Sequence, residues 1–242
     1  MFPSKPGLTR ALAACALFSC AMPALAGIFS VTPVRIFMTP RDRAVAVTLV
    51  NEGDTEVALQ ADINSWKQHA DGTDELVLTE DLVLSPPIIK LAPKARQVVR
   101  LALLRAPDPA RQLTYRLIVR EIPEATAPKE LTVAVPIALA LSMPVFITPP
   151  AAKRDVTCDI ERAAQVLQTS CSNNGTAYAQ VRQVTLARGG ATLGLFEGGN
   201  YLLPGARKAI PLKADQAVGA GDAVLNVMFD DGNSQTFNVK VP

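Results

Sequence analysis

The stretch LTVAVPIALALSM, residues 131–143, decides how the rest of the chain is read. Its odd positions, Leu131, Val133, Val135, Ile137, Leu139, Leu141 and Met143, are aliphatic or thioether throughout. That is the two-residue period of a strand with one fully apolar face. The opposite face, Thr132, Ala134, Pro136, Ala138, Ala140 and Ser142, is small and only weakly polar. Pro136 cannot donate to a sheet ladder, which assigns the run to a sheet edge or a bulge. An exposed apolar edge invites aggregation, so a chain that keeps one needs a use for it.

Outward from this run the chain continues in short alternating segments. AVAVTLV (44–50), VALQADINSW (57–66), QVVRLALL (97–104) and LTYRLIVREI (113–122) are separated by turn chemistry such as Asn51-Glu52-Gly53-Asp54, Asp71-Gly72 and Pro107-Asp108-Pro109. About seven such runs with no helix-length amphipathic segment between them predict an antiparallel β-sandwich. The prolines of TPPAAK (148–153) force an extended connection. Strand-like runs then resume with VTCDI, VLQTSCSN, AQVRQVTLA, AVLNVMF and TFNVKVP. The expected organisation is all-β, with one domain over 27–147 and a smaller β-domain over 148–242. Trp66, the lone tryptophan, is expected as a core anchor on its strand.

Residues 1–26 read as a secretory signal. Lys5 and Arg10 precede the apolar ALAACALFSCAM, and Ala24-Leu25-Ala26 presents small residues for cleavage before Gly27. The apolar run is shorter than the roughly 20 residues a membrane span needs, so no membrane insertion is expected. The 24 basic residues less these two equal the 22 acidic ones, and the mature charge is zero. A nucleic-acid partner, which calls for a basic surplus, is not expected.

Cys158 and Cys171 are the cysteines left in an exported chain, and a disulfide between them across a hairpin is expected. Two buried thiols or a metal pair are the alternatives, and the single histidine, His69, serves a metal poorly. His69 itself lies in a polar turn, KQHADGTDE. No GxSxG, HExxH, Walker, GxGxxG or CxxC motif is present. Neither catalysis, cofactor nor metal is therefore expected, and binding or assembly is favoured. The rival class, a secreted carbohydrate-binding or hydrolytic sandwich, calls for aromatic platforms or paired acids, yet aromatics are 5% of the chain.

Several stretches together resemble the periplasmic pilus chaperones of the chaperone–usher pathway, the PapD-like family. They are FSVTPVRIFM (29–38), SPPIIKLAPKARQVVRL (85–101), YRLIVREIP (115–123), the opening run followed by PVFITP (144–149), SNNGTAYAQV (172–181) and FDDGN (229–233). The short segment between Pro123 and Leu131, with Pro136 and SMPVF, looks more like the archaic branch. The resemblance implies two immunoglobulin-like β-sandwich domains set at an angle, like a boomerang. It also implies a periplasmic protein that completes pilin or fimbrial subunits with its own strand and delivers them to an outer-membrane usher.

On that resemblance Leu131, Val133, Val135, Ile137 and Leu139 have the spacing to plug a subunit groove, the alternative being an ordinary core strand. Arg35 fits the basic residue that holds a subunit's terminal carboxylate. The family's last-strand lysine is replaced by Pro144, and Arg116 or Arg120 is expected to supply the second cation. Glu121, with Asp230 or Asp231, is expected in an interdomain salt bridge, left incomplete because Thr148 stands where the family has arginine. An edge this apolar is expected to be covered in the free protein, self-association being one means.

Overall fold

The computed structural model describes residues 29–123, 138–164, 166–214 and 216–242. The signal segment and Leu131, Val133, Val135, Pro136 and Ile137 lie outside the described residues. The first ten strands are β1 (Phe29–Thr32), β2 (Ile36–Met38), β3 (Ala44–Asn51), β4 (Val57–Gln68), β5 (Asp74–Leu78), β6 (Leu82–Ser85), β7 (Ile88–Leu91), β8 (Arg96–Leu103), β9 (Leu113–Ile122) and β10 (Ala140–Ile147). Seven more follow: β11 (Val156–Ala163), β12 (Val166–Asn173), β13 (Ala179–Arg188), β14 (Ala191–Leu202), β15 (Arg207–Pro211), β16 (Gly221–Phe229) and β17 (Ser234–Val241).

Strands β1 to β10 form two facing sheets. One has the order β1-β3-β8-β6; the other runs β2-β10-β9-β4-β5, with β7 also on β4. Alternation explains the pairing of faces. In β4 Val57, Leu59, Ala61 and Ile63 are buried, and in β9 Tyr115, Leu117 and Val119 are buried. They meet Val47, Leu49, Val99 and Leu101 of the opposite sheet in one cluster. Each valine, leucine or isoleucine among them contributes about 1.5–3 kcal/mol on leaving water.

Strands β11 to β17 form a second sandwich from the sheets β11-β12-β15 and β14-β13-β16-β17. Val156, Ile160, Leu167 and Ile210 pack there against Val184, Leu186, Leu225 and Val227. Each sandwich ties down one turn with a buried asparagine. Asn51 donates to the carbonyls of Thr55, Leu91 and Ala92 while accepting from the Gly53 amide. Asn173 donates to those of Ala177 and Leu202 while accepting from the Gly175 amide. A buried amide with all its groups paired fixes a turn that a solvated one would leave loose.

Cys158 and Cys171 are directly opposed in the β11–β12 ladder and joined as a disulfide in the core. The bridge closes a loop with a sequence separation of 13. Replacing both cysteines with serine is expected to cost about 3 kcal/mol of stability. This would appear as a lower denaturant midpoint for the second sandwich, and an unchanged midpoint would show that the bridge adds nothing.

Candidate functional site

Among the described residues, part of the edge of the last strand of the first sandwich has no neighbouring strand. Strand β10 pairs antiparallel with β9 over its whole length, from Ala140 opposite Arg120 to Ile147 opposite Leu113. On its other side β2 runs parallel to it and covers only Val145 to Ile147. The Glu121 amide donates to the Leu139 carbonyl, so the odd-numbered residues of this strand direct their main-chain groups toward β9. The even-numbered ones face the other way, as the bond from the Thr148 amide to Met38 shows. Among the described residues, the outward main-chain groups of Ala138, Ala140 and Ser142 therefore meet no strand. Pro144 also faces outward, which is why a proline is tolerated here: the donor it lacks is not one that β9 needs.

The side chains of the odd positions point into the sandwich. Met143 is buried, and Leu139 and Leu141 are partly buried against the core. The expected groove-filling run thus has, at Leu139, a side chain already packed in part on its own domain. Its other members lie outside the described residues.

A row of three residues crosses the sheet where the open edge stops. Arg35 immediately precedes Ile36, which is matched to Val145, so Arg35 falls beside Pro144; Pro144 in turn is opposite Arg116. With strands about 4.8 Å apart, the outer two backbones are separated by about 10 Å. Arg35 is held by the second sandwich: its Nη1 donates to Gln180 Oε1 at 3.0 Å and to Asp230 Oδ2 at 2.9 Å. The guanidinium of Arg116 lies over the Trp66 ring at 3.8 Å and reaches Tyr201 at 5.4 Å. It has no ion-pair partner among the described residues. Burial holds this guanidinium below its ordinary pKa, with Tyr201 and Asp74 offsetting only part of the effect. A charge desolvated in this way favours an incoming anion.

Two neighbouring assignments differ from the sequence expectation. Arg120 shares the face of Arg116 but lies four residues away, about 13 Å along the strand. There it is paired with Asp62 at 3.0 Å. Glu121 does not reach the second sandwich, because β9 meets that sandwich at its Leu113 end and Glu121 is at the other. Its carboxylate instead accepts from the Leu139 amide at 3.5 Å. Asp230 pairs with Arg35, and Asp231 pairs with Arg154 at 2.7 Å, a hydrogen bond that holds the Asp231 carboxyl at about 2.

Beside the Arg35–Asp230 pair, the contact between the sandwiches is made by amides and aromatics that sequence reasoning missed. Gln112 donates to Thr148 Oγ1 at 2.6 Å and accepts from the Tyr178 amide at 2.9 Å. Gln68 donates to the Tyr201 carbonyl and accepts from the Leu203 amide. Trp66 is buried, yet on the outer face of its sheet, in a cluster with Phe146 and Leu203 against which Tyr178 and Tyr201 pack. Tyr178 stacks on Phe146 with centroids 4.0 Å apart and planes at 8°. Each aromatic contact of this kind contributes about 0.5–1.5 kcal/mol beyond area burial.

Two β-sandwiches joined through an aromatic seam, the first with part of its last strand's edge free of a neighbouring strand among the described residues, define a two-domain all-β protein. Residues 28–153 match the family described as pili and flagellar-assembly chaperone, PapD N-terminal domain, and the chain belongs to that family. Among solved structures it is similar to the CsuC–CsuE chaperone–tip adhesion subunit pre-assembly complex from the archaic chaperone–usher Csu pili of Acinetobacter baumannii. That match has a TM-score of 0.64 at 17% identity and covers 89% of this chain and 100% of the other. The Escherichia coli chaperone DraB matches with a TM-score of 0.55 at 18% identity, covering 88% of this chain and 96% of the other. The CupB2 chaperone of Pseudomonas aeruginosa gives 0.55 at 18%, covering 88% and 100%. These likenesses are of fold, two immunoglobulin-like β-sandwiches in one chain. No curated protein sequence matches.

Proposed function

We propose that the chain is a periplasmic chaperone of the archaic chaperone–usher branch that binds pilus subunits by donating a strand and delivers them to an outer-membrane usher. In this reading residues 1–26 are removed on export, 27–147 form the subunit-binding domain and 148–242 the second domain. The observation that carries it is the open edge of β10 running into Arg35, Pro144 and Arg116. A guest strand lying in line with β2 finds main-chain partners at Ala138, Ala140 and Ser142, the β-addition mode of recognition. It finds no amide at Pro144 and stops there.

The two arginines select the guest's direction. A strand parallel to β10 brings its C-terminal carboxylate to them, whereas an antiparallel one would bring an amino group into a cationic notch. A guanidinium holds a carboxylate through two parallel, charge-assisted bonds, which makes the parallel guest the favoured one. Farther along, Leu131, Val133, Val135, Ile137 and Leu139 supply apolar side chains at alternate positions. Five of them contribute on the order of 10 kcal/mol before ordering costs, enough to hold an incomplete subunit without chemistry. Asp230, the acidic partner of Arg35, serves the contact between domains, whereas Asp231, bound to Arg154, makes its pair inside the second domain.

The test is coexpression in the periplasm with a pilin encoded beside it. A stoichiometric complex and protection of the pilin from degradation are expected. A pilin degraded equally fast with and without the chain would overturn the reading.

A further inference from the structure

The anchor in the first domain is assembled by the second. Arg35 lies in the bend that precedes the three-residue strand β2, so nothing in its own backbone ladder fixes where its long side chain points. The fixing comes from across the seam. Both hydrogens on Nη1 are taken, one by Gln180 and one by Asp230. Asp230 is itself held by the Tyr178 hydroxyl at 2.9 Å, and its amide donates to the Gln180 carbonyl. Tyr178 is locked in turn by its stack on Phe146. Gln180 is 6% exposed, and Gly199 leaves room for it: a Cβ there would sit 3.0 Å from Gln180 Nε2. Among the described residues the remaining edge of the guanidinium, Nε and Nη2, has no hydrogen-bond partner, and that edge suffices for a carboxylate.

We propose that Gln180, Asp230 and Tyr178 of the second domain are positioning residues for subunit capture, turning the free edge of Arg35 toward the guest's terminal carboxylate. The inference rests on the anchor reading of Arg35. It gives the second domain a part in binding although the guest strand adds to the first. Gln180 and Asp230 act differently. Gln180 is neutral, so removing its acceptor changes orientation alone; Asp230 orients Arg35 but also opposes a second carboxylate by its charge.

The experiment compares two synthetic peptides of about nine alternating apolar residues, one ending in a free carboxylate and the other in an amide, binding to the full-length mature protein. The ratio of their dissociation constants reads the anchor apart from the rest of the strand. Wild type is expected to prefer the acid on the order of tenfold to a hundredfold. Gln180→Met, which keeps the volume and loses the acceptor, is expected to cut this preference about fivefold or more with the amide's affinity unchanged. Asp230→Asn, which keeps an acceptor and removes the charge, is expected to hold or raise it.

A folded Gln180→Met protein with the wild-type ratio would overturn the proposal, and so would an equal loss of affinity for both peptides. Should that variant not fold, Gln180→Ser, too short to reach Nη1, is measured with the same expected drop. Arg35→Ala separates the two levels. If it leaves the ratio at wild type, the anchor reading fails; if it abolishes the preference while the Gln180 variants do not, only the positioning role fails.

Discussion

Charge reversal at Arg35 is expected to abolish recovery of chaperone–subunit complexes from the periplasm while leaving the free protein folded. A bidentate, charge-assisted pair contributes about 1.5–3 kcal/mol, so Arg35→Ala alone should weaken capture on the order of tenfold to a hundredfold. Arg35→Glu goes further, because its single carboxylate opposes both the guest's and that of Asp230, now 2.9 Å from the arginine. The buried neighbours in β2, Ile36 and Met38, are untouched and keep the first sandwich intact. The seam between the domains loosens, but the two cores are separate clusters and each retains its own packing. Circular dichroism and thermal melting check the fold, and copurified subunit checks capture. A normal yield of complex from Arg35→Glu would remove the anchor from the mechanism.

The strands were legible because their alternation is directly a burial pattern. Val57, Leu59, Ala61 and Ile63 in VALQADINSW, and Tyr115, Leu117 and Val119 in LTYRLIVREI, are the core-facing residues their spacing predicts. The pairing of Cys158 with Cys171 also followed from spacing and an export signal. Trp66 was harder. It is out of phase with Ile63 and so lies on the outer face of its sheet, where it is buried because the second sandwich covers that face. The run Met143–Ile147 carries the same signal, since five consecutive buried residues require cover on both faces.

The seam itself was not legible, and the reason is physical. Which end of a strand meets the other domain depends on sheet order and direction, and neither is encoded in local periodicity. Glu121 and Gln112 lie on the same strand-bearing segment, yet only Gln112 is at the domain contact. A glutamine in a strand gives no composition cue, whereas a glutamate in a family motif invites a charged role. Arg116 was singled out by its neighbours and lies opposite Pro144; Arg120, of the same parity, is occupied by Asp62. On β4 Gln60 lies opposite Arg120 and Asn64 opposite Arg116, with Asp62 between them; Asp62 pairs with Arg120, while the Arg116 guanidinium lies over Trp66.

The joint substitution Ile137→Asp and Leu139→Asp is expected to weaken subunit capture by a factor of a thousand or more. Each loses about 1.5–3 kcal/mol of apolar burial in the complex, and each adds a carboxylate that the guest's apolar groove leaves without a partner. The two single variants are not equivalent. Leu139 packs in part on the core of its own sandwich, so Leu139→Asp is expected to lower the melting temperature by several degrees as well as weaken capture. The strand beyond it keeps its place through Met143, Val145 and Ile147, all buried, which limits that loss. Ile137→Asp, two residues earlier in the sequence, is expected to cost capture with little change in melting. If Ile137→Asp instead unfolds the free protein, the run is a core strand of the chaperone's own fold, and no apolar ribbon is held back for a guest.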